Sequence, residues 1–329
     1  MERPLHILSS SQFDRPFLDY MCRLTDAIRR LDKSKEGLIY LNGLLAHKRG
    51  MLYFTQPSTR TFLSFESALH ILGIKPSHIR DSSTSSERKG ESIEDSLRTF
   101  SSYVDVIVMR TQEAGLCDRI AAYLDDTPRP VPIINAGSGP DEHPTQALLD
   151  IYTLSRGFKN MGGIDGKTFV MVGDLKRGRT VRSLAGLLMN YSDIHIKFVS
   201  PEEFRISDDL RQKLRSKNVS FEETDQFLPS IEQADAIYMT RVQDEYDVGN
   251  ESSSIKNYER FHLKFEHLDR LKKHTVIMHP FPRRQEIDVA VDADPRAKYW
   301  RQERNGMWTR VALLTKIFGA DKHIIHPEL

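Results

Sequence analysis

The chain has 329 residues, 47 lysines and arginines against 46 aspartates and glutamates, and a formal net charge of +1 at pH 7. That balance excludes a global field that would recruit nucleic acid or a membrane surface, so any anion site has to be local and the partner reads as a small molecule. The length suits two domains, and Cys22 and Cys117 lie too far apart in sequence for metal-ligand spacing, which predicts two buried thiols in a reduced, cytoplasmic protein.

Met1 to Ser9 lacks the basic and then apolar pattern of a secretory leader, and no apolar run reaches the roughly 18 residues of a membrane span. Phe17 to Ile28 carries apolar residues at helical spacing with charged ones between them, which predicts an amphipathic surface helix. The run Met51 to Phe54 predicts a strand, and the pattern Leu63, Phe65, Ala68, Leu69, Ile71, Leu72 predicts a helix over 62–72 closed by Gly73. Between them lies Ser58-Thr59-Arg60-Thr61, the stretch around which the chain is organised. It places hydroxyls and a guanidinium at a helix N-terminus, where unpartnered N–H groups and the helix dipole favour an anion. Taken alone, these residues suit ordinary N-capping equally well. The polar run from Ser82 to Glu91 reads as a solvated loop, or as one whose hydroxyls close over a phosphate with Arg88 and Lys89.

Val104 to Met109 predicts a buried strand ending at Arg110, and Pro132 to Gly137 predicts another. Asp141-Glu142-His143-Pro144-Thr145-Gln146 leads into a helical pattern from Ala147 to Leu154, and His143 and Gln146 share a face if the helix has begun. A single histidine at such a place is more often a structural hydrogen-bonder than a catalyst. Gly157 to Gly166 reads as a link between domains. Further strands are expected at 168–172, 194–199, 234–239 and 275–278, helices at 181–191 and 210–215, and a long loop with a short helix at 247–264. Strands alternating with helices predict an α/β fold of parallel sheets with right-handed crossovers.

Ligands of open parallel sheets bind beyond the carboxyl ends of the strands. The residues expected there are Ser58 to Thr61, Arg110, Asp174 with Arg179, Thr240-Arg241-Val242-Gln243, and His279-Pro280-Phe281-Pro282-Arg283. Arginine recurs through that series, and forked donors converging on one cleft suit phosphate and carboxylate, so a polyanionic ligand is expected. Gly173 to Thr180 approximates a P-loop but carries Arg179 in place of the essential lysine, and no G-x-G-x-x-G follows a strand. Both observations argue against a nucleotide enzyme. His323 and His326 have no further ligand at useful spacing, so no metal or other cofactor is expected.

Phe54 to Thr61, Lys89-Gly90-Glu91, Val108-Met109-Arg110, His143 to Gln146, Gly173 to Val181, Met239 to Gln243 and His279 to Arg283 resemble the aspartate/ornithine carbamoyltransferase family, in order and over nearly the whole chain. His279-Pro280-Phe281-Pro282 replaces the His-Cys-Leu-Pro of the ornithine branch, and with Asp174 to Val181 it favours the aspartate branch. The resemblance implies two doubly wound parallel-sheet domains with the active site between them. Residues 1–142 plus about 305–329 would bind carbamoyl phosphate, and residues 143–304 would bind aspartate. The implied reaction moves the carbamoyl group of carbamoyl phosphate to the amino group of L-aspartate, giving N-carbamoyl-L-aspartate and phosphate, an early step of pyrimidine synthesis.

On the same ground, Ser58, Thr59, Arg60, Thr61 and Arg110 would hold the phosphate. Ser85 and Lys89 would reach across from a neighbouring subunit, which makes a homotrimer with shared active sites the minimal unit. Arg60, Thr61, Arg110 and His143 form the catalytic group, the last three polarising the carbamoyl carbonyl and stabilising the tetrahedral oxyanion. Gln146 and the backbone carbonyls of Phe281 and Pro282 would fix the carbamoyl NH2, while Lys176, Arg179, Arg241 and Gln243 would take the carboxylates of aspartate. The departing phosphate can accept the amine proton, so His143 need not be a base. Gln56 stands where the family usually has Glu, Phe62 where it often has Arg, and Tyr246 where Arg can occur. Gln56 cannot form the ion pair by which that Glu helps close the domains, which implies closure through other contacts or a looser aspartate site. A transferase with another amino acceptor and a non-catalytic carbamoyl-phosphate-binding homologue are the alternatives, and regulatory or other pyrimidine-pathway chains are partners the resemblance leaves open.

Overall fold

A computed structural model describes residues 5–80, 90–139, 142–242 and 254–325. The chain divides into two compact units, Met1–Leu149 with Asn305–Leu329, and Asp150–Arg304.

The first unit runs through α1 (Arg15–Leu31), α2 (Lys35–Leu44), β1 (Arg49–Phe54), α3 (Thr59–Ile71), β2 (Lys75–Ile79), α4 (Ile93–Ser101), β3 (Val106–Thr111), α5 (Leu116–Asp125) and β4 (Ile133–Ser138). Asp14 starts α1 by accepting the N–H of Phe17, with Pro16 in the first turn, where a missing donor does no harm. At the end of α3, Gly73 takes φ 73° and its N–H bonds to the His70 carbonyl while Ile74 bonds to Leu69, so the glycine ends the helix as its sequence position suggested. The strands form a parallel sheet in the order β2-β1-β3-β4. One face is legible from the period of two. Met51 and Tyr53 of β1 and Ile107 and Met109 of β3 pack with Leu97 of α4 and Leu116, Cys117, Ile120 and Leu124 of α5. Strand β2 was not expected, because Pro76 and His78 break its apolar pattern. It lies at the sheet edge, where a proline N–H is not needed. Cys117 is buried, whereas Cys22 is only half-buried, contrary to the expectation of two buried thiols.

Helix α6 (Pro144–Gly157) carries the chain into the second unit, which contains β5 (Thr168–Val172), α7 (Arg179–Leu188), β6 (His195–Val199), α8 (Asp208–Ser216), β7 (Ser220–Thr224), α9 (Phe227–Gln233), β8 (Ala236–Met239) and β9 (Val276–Met278). Helix α10 (Tyr299–Ile317) returns to the first. The second sheet is also parallel, in the order β7-β6-β5-β8-β9. Val170, Val172, Ile237, Met239 and Ile277 face Phe227, Ile231, Phe261 and Leu263 across its core. Residues 247–253 of the expected 247–264 loop lie outside the described residues, and a 3-10 helix follows at Ser254–Phe261. A polar chain crosses the interior of this unit. The Tyr238 hydroxyl donates to Asp150 at 2.8 Å, and the Gln302 amide donates to the other Asp150 oxygen at 2.7 Å.

Candidate active site

In the first sheet the strand order turns at β1, with β2 on one side and β3 on the other, so the carboxyl ends of β1 and β3 flank the crevice in which open α/β sheets bind ligands. The loop after β1 is stitched to the end of β3, because the N–H groups of Thr55 and Gln56 both donate to the Arg110 carbonyl at 3.0 and 3.2 Å. Helix α3 starts two residues past Pro57, with Ser58 at the cap position. The Ser58 side chain makes no capping hydrogen bond, so the capping reading of Ser58 to Thr61 does not describe this helix. Thr59 and Arg60 are exposed in its first turn and Thr61 is buried, at the end where backbone N–H groups and the dipole attract an anion.

Arg110 is 8% exposed, and its Nη1 donates to the Ala136 carbonyl at 3.1 Å. That nitrogen lies against Gly137, whose φ of 118° suits glycine and where a Cβ would stand 2.8 Å from Arg110 Nη1 and 3.5 Å from His143 Cδ2. Arg110 and His143 therefore meet over Gly137. His143 is buried one residue before α6, its carbonyl accepting the N–H groups of Gln146 and Ala147, and its Nδ1 lies 3.4 Å from the Thr145 hydroxyl. Gln146 is also buried, in the first turn of that helix.

Residues that sequence reasoning missed hold this group. Asn135 accepts the Gly137 N–H at 2.8 Å and donates to the Leu8 carbonyl at 2.9 Å. Glu142 accepts from the Ser10 N–H at 2.6 Å and from the Ser9 and Ser10 hydroxyls, tethering the residue before His143. A buried asparagine inside an otherwise apolar strand was the available signal for the first. Phe62, where the resemblance expects arginine, is 5% exposed. It sits edge-on to Phe54 at 5.4 Å, with the Arg80 guanidinium over its ring at 4.6 Å.

The second sheet turns between β5 and β8. There Gly173 has φ 126°, and a Cβ would come within 2.2 Å of the Thr240 carbonyl oxygen, so the two strand ends approach at backbone distance. Thr240 donates to Val172 at 2.9 Å and accepts from the Tyr258 hydroxyl at 3.0 Å. In the turn after β5, Asp174 is fully buried and pairs with Arg177 Nε at 3.0 Å, while Arg177 lies over Phe204. Lys176 is exposed and Arg179 is half-buried at the first position of α7. Arg241, half-buried after β8, donates to the Val242 carbonyl at 3.0 Å. Lys176, Arg179 and Arg241 thus sit on the loops of two adjacent strands.

The loop after β9 carries a cis Phe281–Pro282 bond, with Phe281 at φ 50°. The Phe281 ring packs on Trp300 at 4.9 Å. Arg283, grouped by sequence with the converging arginines, is instead held by Asp292, which the Tyr299 hydroxyl also contacts at 2.5 Å. The Arg283 hydrogen bonds, working against burial, hold the Asp292 carboxyl below the usual carboxylate range. Ser85, Lys89, Gln243 and Tyr246 lie outside the described residues. Among the described residues no His, Cys, Asp and Glu cluster could hold a metal ion, and no helix is long and apolar enough to cross a membrane.

Chemically, the first unit brings a buried arginine and a histidine together over Gly137, an arrangement suited to an anion, and the second carries Lys176, Arg179 and Arg241 on the loops after two adjacent strands. Residues 5–156 match the family described as aspartate/ornithine carbamoyltransferase, carbamoyl-P binding domain, and residues 165–317 match its Asp/Orn binding domain. The chain is 41% identical over 315 residues to the chloroplastic aspartate carbamoyltransferase 3 of Pisum sativum, covering 94% of this chain and 76% of that one. It is similar to the catalytic subunit of M. jannaschii aspartate transcarbamoylase, with TM-score 0.83 and 35% identity over 96% of this chain and 98% of that one. A Trypanosoma cruzi aspartate transcarbamoylase in complex with carbamoyl phosphate and aspartate has TM-score 0.84 and 33% identity, over 95% of this chain and 96% of that one.

Proposed function

Because the chain belongs to the aspartate/ornithine carbamoyltransferase family, we propose that it transfers the carbamoyl group of carbamoyl phosphate to the amino group of L-aspartate, releasing N-carbamoyl-L-aspartate and phosphate for pyrimidine synthesis. The observation that carries the reading is that Arg110, on the strand β3 beside the one that feeds the α3 N-terminus, meets His143 over Gly137 of β4. Ser58, Thr59, Arg60, Thr61 and Arg110 take the phosphate. Thr61, Arg110 and His143 face the carbamoyl oxygen, whose negative charge grows as the amine attacks, and each such donor is typically worth about 3 kcal/mol of barrier. The aspartate nitrogen forms the new C–N bond, the C–O bond to phosphate breaks, and the leaving phosphate takes the amine proton. Gln146 and the carbonyls of Phe281 and Pro282 hold the carbamoyl NH2, and Lys176, Arg179, Arg241 and Gln243 take the two carboxylates.

A homotrimer is part of this reading, with Ser85 and Lys89 serving a neighbour's site. Support comes from the family resemblance and from the side chains of Leu38, Ile39 and Tyr40 on α2, which are 43%, 63% and 41% exposed and would be covered by association. Sedimentation of the purified chain tests it. A cytoplasmic location is supported by the free thiols of Cys22 and Cys117, which suit a reducing compartment, and cell fractionation tests it. For the reaction, the protein is incubated with carbamoyl phosphate and single amino acceptors, and ureido product is assayed. Product with aspartate alone is expected. Product with a different acceptor only, or binding without product, overturns the assignment.

A further inference from the structure

His279, at the carboxyl end of β9, is 1% exposed and uses both ring nitrogens. Its Nδ1 accepts the Phe281 N–H at 2.8 Å. A nitrogen that accepts carries no proton, so the ring hydrogen is on Nε2, which donates to Glu286 Oε1 at 2.7 Å. Glu286 is 3% exposed, and its carboxylate also accepts the Arg284 N–H at 3.1 and 3.2 Å. The His279 N–H is held in turn by Gln302 Oε1 at 2.9 Å, and the Gln302 amide is anchored on Asp150. One turn of chain is thus clamped on both sides of Phe281, the residue at φ 50°. That left-handed conformation is disfavoured for any residue with a side chain and persists only where its surroundings over-determine it.

A buried, satisfied histidine is commonly a structural feature alone, and a direct chemical role for His279 would need a ring nitrogen that these contacts already use. The geometry assigns a third role. We infer that Glu286 is a positioning residue for the carbamoyl group: by holding the His279 proton on Nε2 it keeps Nδ1 as the acceptor for Phe281 and so fixes the direction of the Phe281 and Pro282 carbonyls. This rests on the reading that those carbonyls hold the carbamoyl NH2. With the proton on Nδ1, two donors would face each other in a buried site, and the loop would have to turn. The carboxylate suits the task because burial, which opposes its charge, is outweighed by the His279 and backbone N–H groups, leaving it below the usual range.

Two substitutions separate the ring nitrogens. In His279→Asn the side-chain oxygen stands near the place of Nδ1 and can serve Phe281 but cannot reach Glu286. In His279→Gln the amide nitrogen stands near the place of Nε2 and can serve Glu286 but not Phe281. Calorimetry on the purified proteins measures carbamoyl phosphate, acetyl phosphate, which has a methyl in place of the NH2, and inorganic phosphate. The unmutated protein is expected to prefer carbamoyl over acetyl phosphate, and His279→Gln and Glu286→Ala to lose about tenfold or more of that preference while phosphate affinity stays within about twofold. His279→Asn is expected to keep the preference within about threefold. Wild-type preference in His279→Gln, or equal loss in the Asn and Gln variants, overturns the inference and leaves the carbonyl reading standing. No preference in the unmutated protein overturns both. Should a variant not fold, two-bond 15N–1H spectra of the unmutated protein decide: a buried imidazole with a bare Nδ1 and protonated Nε2 is expected, and a protonated Nδ1 at His279 overturns the inference.

Discussion

The guanidinium of Arg110 occupies the space that a side chain on residue 137 would need, its Nη1 lying 2.8 Å from the Cβ position of Gly137. Gly137→Ala must therefore push Arg110 off its Ala136 contact and also hold alanine at φ 118°. We expect kcat/KM for carbamoyl phosphate to fall by about 10²–10³-fold, the size of losing one oxyanion donor. Steady-state kinetics check it, and a fall below threefold would show that Arg110 has room to adjust.

Phe62 is enclosed by Phe54, His78 and Arg80. Phe62→Arg would bury a second guanidinium beside that of Arg80, where Glu66, one turn further along α3, is already engaged by the His78 ring at 3.0 Å. A loss of about 2–4 kcal/mol of stability is expected in urea unfolding, with no gain in aspartate affinity. Gln56→Glu restores the family's acid on a half-exposed residue and should lower the aspartate KM several-fold, as initial rates will show. An unchanged KM and kcat would mean that this chain does not use position 56 for acceptor binding.

Acid should weaken the fold in two stages. Burial holds the imidazoles of His262 and His267 below their ordinary value, so as pH falls below about 6.5 the unfolded chain binds protons that the folded chain refuses, and stability declines. Asp235, Glu286, Asp292, Asp294 and Asp321 have lowered carboxyl pKa values, hydrogen bonds and cationic partners outweighing burial. Their contribution is fully present above the unfolded value of about 4 and is lost as pH falls through the folded values. Melting temperature against pH should show a shallow decline below about 6.5 and a steep one below about 4, and Asp292→Asn should flatten part of the steep limb. A melting temperature that rises on acidification would contradict the assignment.

The thiols should differ in reactivity. Burial, with Asp118 nearby, pushes the Cys117 thiol up to about 12, whereas Cys22 is half-buried. Titration of the native protein with a thiol-specific disulfide reagent should modify Cys22 first, and Cys117 only after denaturation. Labelling of Cys117 at the rate of Cys22 would count against the burial of Cys117.

Much of the architecture was readable because apolar runs such as Val104 to Met109 and Thr168 to Val172 are long enough to be buried strands and end in polar residues. Strands β2 and β7 were not, because Lys75–Ile79 and Ser220–Thr224 lie at sheet edges, where half-solvated positions tolerate Pro76, Glu222 and Glu223. The site divides in the same way. Arg110 and His143 stand out as polar residues next to apolar segments, whereas Asn135, Glu142 and Glu286 work through partners that only the folded chain brings close. Ser58 was legible as a helix start, but its rotamer was not.

Among the described residues, each sheet border is obstructed against a further strand. The β4 border is taken by Ile7, bridged to Ile134, and the β9 border by Ile277 paired with the segment around Ala297. The other two borders carry Pro76 in β2 and Glu222 with Glu223 in β7. A neighbouring molecule therefore finds no clean row of backbone donors and acceptors to copy, which guards the chain against fibre growth at high concentration. Association of this chain, as the proposed trimer requires, would then use side chains on helices and loops, where specificity is written residue by residue.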